Sequence, residues 1–287
     1  MKKICLIGGF NFVSIVNTKK MEIENSIPSS IYTRFGGVAW NIAQKLSEYK
    51  DGEISFVSVL SNDVLGKMAI QELDQFSIRH EKCIFTEEWK SYYCHITLNS
   101  ENYGFDDMTC IELITPEYIR SIKDYLETFD LIFLDANLSE NTISYISNNI
   151  NVPICFDGTS TEKCIRVRKC FNNFSMMKLN KHEFCKLFDK EEITFEDDET
   201  ILNCLGNAYK TMTFITFGAQ GSMCCYNNKI IRHHTNNIIP VNNALRAGDT
   251  YVSGLIKGFL DELCIEKILK IASNRSELVL TGNLEKE

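Results

Sequence analysis

The chain has 287 residues, 44% of them hydrophobic, with 30 Lys and Arg against 38 Asp and Glu. That length suits one or two domains, and the net charge of −8, with only short basic pieces such as Lys19-Lys20 and Arg166 to Lys169, argues against nucleic-acid binding through phosphate neutralisation. Twelve cysteines scattered from Cys5 to Cys264 form no CxxC pair and no zinc-like spacing, so they read as reduced, mostly buried thiols of a cytoplasmic protein.

The N-terminal run MKKICLIGGFNFVSIV begins like a signal peptide. Gly8, Gly9 and Asn11 interrupt it and it lacks a small-residue cleavage site, so it reads as a first strand and turn. No apolar run approaches the ~20 residues needed to cross a bilayer, so no membrane partner is expected. Strand-length apolar runs then recur at KICLIG, ISFVSVL (54–60), DLIFLDA (130–136), VPICFD (152–157) and TFITFG (213–218). They are continuous rather than alternating, as in strands of a parallel sheet covered on both faces.

Between these runs lie helical patterns. Ala39, Ile42, Ala43 and Leu46 share one helix face, Leu65, Met68, Ala69 and Leu73 another, and Pro116 is placed to open a helix to about Glu127. Repeated βα alternation predicts an α/β fold, a doubly wound three-layer α/β/α sandwich around a mostly parallel sheet. Segments 12–35 and 91–115 break the alternation, and SYYCHITLN and CIELIT look strand-like. They predict a small β-sheet lid on a single domain spanning 1–287. Adjacent His233 and His234 point to opposite faces of a strand, which argues against a metal site there.

No GxxxxGK[ST] loop is present, and GGFNF is not GxGxxG. An anion site is instead predicted at AGDTYVSG, where Ala247, Gly248 and Asp249 open the helical pattern Val252, Leu255, Ile256, Phe259. Free N–H groups and the dipole favour an anion at such an end, and Gly248 permits close approach. Asp249 there is either an N-cap or a base that takes a proton from an attacking hydroxyl.

Four motifs occur in order: GGVAWNIAQKL (36–46), KLNKHE (178–183), TFGAQG (216–221) and AGDTYVSG (247–254). In this the chain resembles the ribokinase-like, PfkB-type carbohydrate kinases, and the resemblance covers nearly its whole length. It implies the sandwich-plus-lid fold and γ-phosphoryl transfer from MgATP to a hydroxyl. It also implies Asp249 as catalytic base and Ala247 and Gly248 as anion hole. Asn180 and Glu183 would organise Mg²⁺ and phosphates, Glu183 through water, and Thr216, Gly218 and Gly221 would bind ATP. Asn11, Gly36, Gly37 and Asn41 would hold the substrate. A monovalent cation such as K⁺ and a homodimer joined through the lid are compatible with the same resemblance.

DANL (135–138), FDGTSTEK (156–163) and DDMTCIELITPE (106–117) look like the pseudouridine kinase branch of that family, which places Lys163 near a nucleoside. The implied activity is conversion of pseudouridine to its 5′-phosphate; the alternatives are a ribose- or fructose-like sugar kinase and a catalytically weakened nucleoside-binding relative. Each motif also has a structural reading. Gly36-Gly37 is a turn, Asn180 and Glu183 a capping box, Gly218 and Gly221 a hairpin connection, and Ser160 the cap of a helix with Lys163 exposed.

Several positions depart from the pattern. Val13 replaces the usual Asp that holds sugar hydroxyls, and Ser61 replaces a glycine. Asn243, Leu245 and Arg246 stand where Asp, Thr and a small residue are usual. Arg246 either reaches a phosphate or crowds the anion hole. The polar stretch after Asn274 predicts a less complete adenine pocket.

Overall fold

In the computed structural model, residues 1–21, 24–50, 52–99, 101–206, 210–235 and 246–281 are described. In chain order the first strands are β1 (Lys2–Ile7), β2 (Asn11–Thr18) and β3 (Ser30–Gly36), followed by helix α1 (Val38–Ser47), β4 (Gly52–Val57), β5 (Val59–Ser61) and α2 (Val64–Gln75). Next come β6 (Ile84–Thr86), β7 (Tyr92–Leu98), β8 (Glu101–Asp107), the helices α3 (Pro116–Ser121) and α4 (Lys123–Leu126), β9 (Leu131–Asp135) and α5 (Glu140–Asn149). The last part holds β10 (Ile154–Asp157), β11 (Met176–Asn180), α6 (Lys181–Leu187), α7 (Asp198–Leu205), β12 (Met212–Thr216), β13 (Gly221–Tyr226), β14 (Lys229–His234), α8 (Ala247–Leu260) and α9 (Ile265–Leu280).

The five apolar runs supply five of the six parallel strands of an eight-stranded sheet in the order β14-β13-β12-β11-β10-β9-β1-β4; β11, which the sequence reading did not single out as a strand, is the sixth, and β13 and β14 are antiparallel at one edge. The N-terminal run is β1, hydrogen-bonded on both sides by β4 and β9. Successive residues feed opposite layers. Ile7, Ile132 and Phe156 join Phe184 and Ile143 on one face, while Leu6, Phe133 and Cys155 join Trp40, Val252 and Leu255 on the other. Burying apolar area on both faces is the main source of stability here. Trp40 pins α1 to the sheet, with Phe10 at 4.9 Å and Phe56 at 6.2 Å between ring centroids.

The lid is a separate four-stranded sheet, β3-β2-β7-β8. One of its strand expectations is corrected. CIELIT folds as a 3₁₀ turn over Thr109–Leu113, because Cys110, Ile111 and Ile114 bury themselves in the sandwich core instead of alternating across a sheet. The Thr115 hydroxyl then caps α3, with Pro116 in its first turn. The helix predicted from Pro116 to Glu127 is broken at buried Ile122 into α3 and α4. Adjacent His233 and His234 lie on β14, and His234 packs its ring on Phe195. No helix among the described residues is long and apolar enough to cross a membrane.

Candidate active site

The start of α8 is the centre of the site. Arg246 occupies the N-cap position with φ 72 and ψ −7, and no side chain caps the helix. This left-handed conformation costs a non-glycine residue about 1–2 kcal/mol. The first intrahelical bond runs from the Thr250 amide to the Arg246 carbonyl at 2.9 Å. Asp249 therefore lies in the third helical position and is not the N-cap. Its Oδ2 accepts instead from Asn41 Nδ2 at 2.7 Å, on α1, which packs beside α8 in the same layer.

This helix end separates two cavities. The larger, about 510 Å³, lies under the lid, and its lining includes Asn11, Gly36, Gly37, Asn41, Lys163, Arg246 and Asp249. The smaller, about 270 Å³, is lined by Thr216, Gly218, Gly221, Ala247 and Gly248. The expected substrate residues thus line one chamber, and Thr216, Gly218 and Gly221 of the expected nucleotide residues line the adjacent one. Tyr251 from α8 and Ser273, Ser276, Glu277 and Leu280 from α9 complete the second one, although the polar stretch after Asn274 predicted a poorer wall.

Asn180 and Glu183 line neither chamber. They form the capping box: Asn180 Oδ1 accepts from the His182 and Glu183 amides at 2.9 Å, and Glu183 Oε2 accepts from the Asn180 amide at 2.8 Å. Gly218 and Gly221 do sit in a hairpin connection, between β12 and antiparallel β13, and the same turn forms the cavity wall. Gly37 has φ 111, and a Cβ there would run into the Gly9 carbonyl, so the turn before α1 needs glycine. Ser160 caps no α-helix, and Lys163 is not exposed as a surface lysine. It enters the larger cavity, where its Nζ donates to Asn137 Oδ1 at 2.9 Å and pairs with Asp106 of the lid. Asn243 and Leu245 lie outside the described residues.

Sequence reading did not assign separate roles to Asp135 and Asp157, which end β9 and β10, or to Lys178 in the middle of β11. Asp135, Asp157 and Lys178 are register neighbours across three strands. Asp135 Oδ2 accepts from the Gly9 amide at 2.9 Å and the Ala39 amide at 3.2 Å, so it serves α1 as the cap that Gly37 cannot supply. Lys178 Nζ stands 3.2 Å from Asp157 Oδ2, both side chains buried. A charged residue ending an apolar strand was the available signal, since ligands of open α/β sheets sit beyond strand carboxyl ends.

These charges set the electrostatics. Burial pushes the Asp249 carboxyl up to about 7, and Asp157 adds to the shift, while Asn41, Lys178 and Arg246 oppose it. Burial by itself lowers the Lys178 ammonium, but Asp157 and Glu183 override it and hold it above its ordinary value. Glu183 is raised chiefly by burial, against the pull of Lys178.

Among the described residues no group of three or more His, Cys, Asp or Glu could hold a metal ion. Mg²⁺ keeps most of its water and takes few protein ligands; Glu183, the carboxylate expected to meet it through water, accepts from the Asn180 amide and lines neither chamber.

Comparison with known proteins bears on the family and the fold. The model for the pfkB family carbohydrate kinases matches residues 1–283. A pseudouridine kinase of Escherichia coli is 28% identical over 63% of this chain, and the match spans only 59% of that protein's length. A guanosine-inosine kinase of Exiguobacterium acetylicum is 22% identical over 94% of this chain and 92% of its own. The structure of Arabidopsis thaliana ribokinase complexed with ribose and ATP superposes with a TM-score of 0.82 at 16% identity, covering 98% of this chain and 93% of that one, a likeness of fold.

Proposed function

The chain belongs to the pfkB family of carbohydrate kinases, and on that footing we propose that it transfers the γ-phosphoryl of MgATP to a nucleoside hydroxyl, with the 5′-hydroxyl of pseudouridine the preferred acceptor. One observation carries this reading: a single helix end, with Asp249 facing one chamber and Ala247 and Gly248 the other, brings two ligand sites together. MgATP bound in the smaller chamber supplies the phosphoryl group and part of the charge neutralisation. Asp249 would take the hydroxyl proton as the bond to phosphorus forms and the bond from phosphorus to the departing ADP breaks, Asn41 orients its carboxylate, and the uncapped amides of α8 face the developing negative charge.

Val13 bears on which hydroxyls the acceptor can present. It is 4% exposed in the cavity wall, with Arg34 and Tyr93 as its cross-strand neighbours, where a sugar kinase of this family would place an Asp. A buried sugar hydroxyl facing valine forgoes a charge-assisted bond of about 1.5–3 kcal/mol. The nucleoside class is supported by the names of two nucleoside kinases among its relatives. The test is ADP release with pseudouridine, inosine, guanosine, ribose and fructose. Nucleosides above sugars support the reading, and sugars above nucleosides make it a sugar kinase. Ligand binding without turnover, unimproved by Arg246→Gly, makes it a weakened relative.

The pH dependence has a definite sign. Asp249 works deprotonated, so kcat/KM should climb with pH through about 7 and level off above. Asn41→Ala removes a donor that favours the charged form, so the acidic limb of a measured pH profile should move to higher pH.

The outer face of the lid supports a homodimer. Ile31, Val16, Ile96 and Tyr103 form one cross-strand rung there, and Ile31, Tyr103 and nearby Phe105 are 64%, 41% and 60% exposed. Light scattering should give twice the chain mass of 32.9 kDa. Ile31→Lys with Phe105→Lys should return the monomer. A wild-type monomer at micromolar concentration would remove this part of the reading.

A further inference from the structure

We propose that Tyr93 is a stacking platform for the planar base of the acceptor, and hence a specificity-determining residue of this site; the proposal rests on the nucleoside reading above. The inner face of the lid is organised in cross-strand rungs. Arg34, Val13, Tyr93 and Asp106 lie side by side in one, and Tyr32, Ile15, His95 and Gly104 in the next. All of these except Tyr32 line the larger cavity.

Gly104 reveals how the tyrosine lies. A Cβ at this position would stand 2.5 Å from the Tyr93 hydroxyl oxygen and 3.2 and 3.3 Å from two ring carbons. The ring therefore leans over residue 104 and occupies the space that any side chain there would need. The His95 ring follows it at 6.4 Å with 30° between planes, and buried Val13 and Ile15 form the apolar floor beside them.

This surface suits a heterocycle better than a sugar. A flat ring gains from stacking on an aromatic face and from charged groups at its rim, here Arg34 on one side and Asp106 on the other. A free pentose has no flat face to stack and gains little. Tyr93 lies in the lid, so its contact with a base would also draw the lid over the acceptor.

Calorimetric titration of pseudouridine, inosine and ribose into the intact protein tests this without requiring turnover. Tyr93→Ala should weaken both nucleosides about tenfold or more while ribose changes less than about twofold, and Tyr93→Phe should stay within about threefold of wild type. Gly104→Ala keeps an ordinary backbone and only displaces the Tyr93 ring, so it should weaken the nucleosides to an intermediate degree without affecting ribose. Nucleoside binding unchanged in Tyr93→Ala overturns the platform but leaves the nucleoside reading standing, as does an equal loss for ribose. Wild-type protein that binds ribose and neither nucleoside overturns both.

Discussion

Asp249→Asn should lose phosphoryl transfer by about 10³-fold, within the 10²–10⁴ range of a general base, while becoming more stable at alkaline pH. The loss follows because Asn41 can still bond the amide oxygen at position 249, so the geometry persists and only proton acceptance goes. The gain in stability follows from linkage. The folded carboxyl is raised to about 7 from its ordinary 3.8, so the folded state binds the proton more tightly than the unfolded chain. Below about pH 4 both states are protonated and nothing is lost. As pH rises from there to about 7 the unfolded state ionises first and stability falls, with the full cost present above 7. Partial contact with the cavity reduces that cost to about 1–3 kcal/mol. Thermal melts of Asp249→Asn at pH 8 should therefore exceed wild type by several degrees and coincide with it near pH 4. Equal turnover in the variant, or a melting gain that is the same at both pH values, would contradict the assignment.

Lys178→Met carries the second large effect, and it falls on the fold. Lys178 is 7% exposed, Asp157 3% and Glu183 2%, so removing the ammonium leaves two buried carboxylates without their cation. Breaking a buried pair by removing one partner typically costs 3–5 kcal/mol. Glu183, already raised by burial and then without the pull of Lys178, would respond by binding a proton in the folded state, so the loss should be greater at pH 8 than at pH 5. Denaturant unfolding at the two pH values measures this. Asp157→Asn added to Lys178→Met should recover part of the loss, because one of the uncompensated charges is gone. A Lys178→Met protein as stable as wild type at pH 8 would mean that Lys178 is not their counter-charge.

Much of the sandwich was legible because its strands are continuous apolar runs and both of its layers have helical periodicity. LIFLD and ICFD could hardly be anything but central strands. CIELIT misled because six residues of mixed apolar character satisfy a strand and a buried 3₁₀ turn equally well; only the neighbouring core of Trp89 and Val59 decides between them. The site was legible where a motif is local, as at AGDTYVSG. It was not legible where it is assembled across the chain. Asp135 serves amides at Gly9 and Ala39, and Asn41 reaches Asp249 across 208 positions. The role of Lys163 also depended on distant partners, since Asp106 and Asn137 turn it from a surface lysine into a link between lid and sandwich. Arg246 is the remaining departure. It stands in the larger cavity beside Asp249, in a backbone conformation that glycine would adopt at lower cost.

The central claim is that two ligands meet across the first turn of α8 and exchange a phosphoryl group there. Mass spectrometry of a reaction containing ATP, Mg²⁺ and pseudouridine tests it most directly. Wild-type protein should yield ADP and pseudouridine 5′-phosphate in equal amounts, and Asp249→Asn should yield about 10³-fold less of both. ADP without any phosphorylated acceptor across nucleosides and sugars, or equal product from the variant, would contradict it.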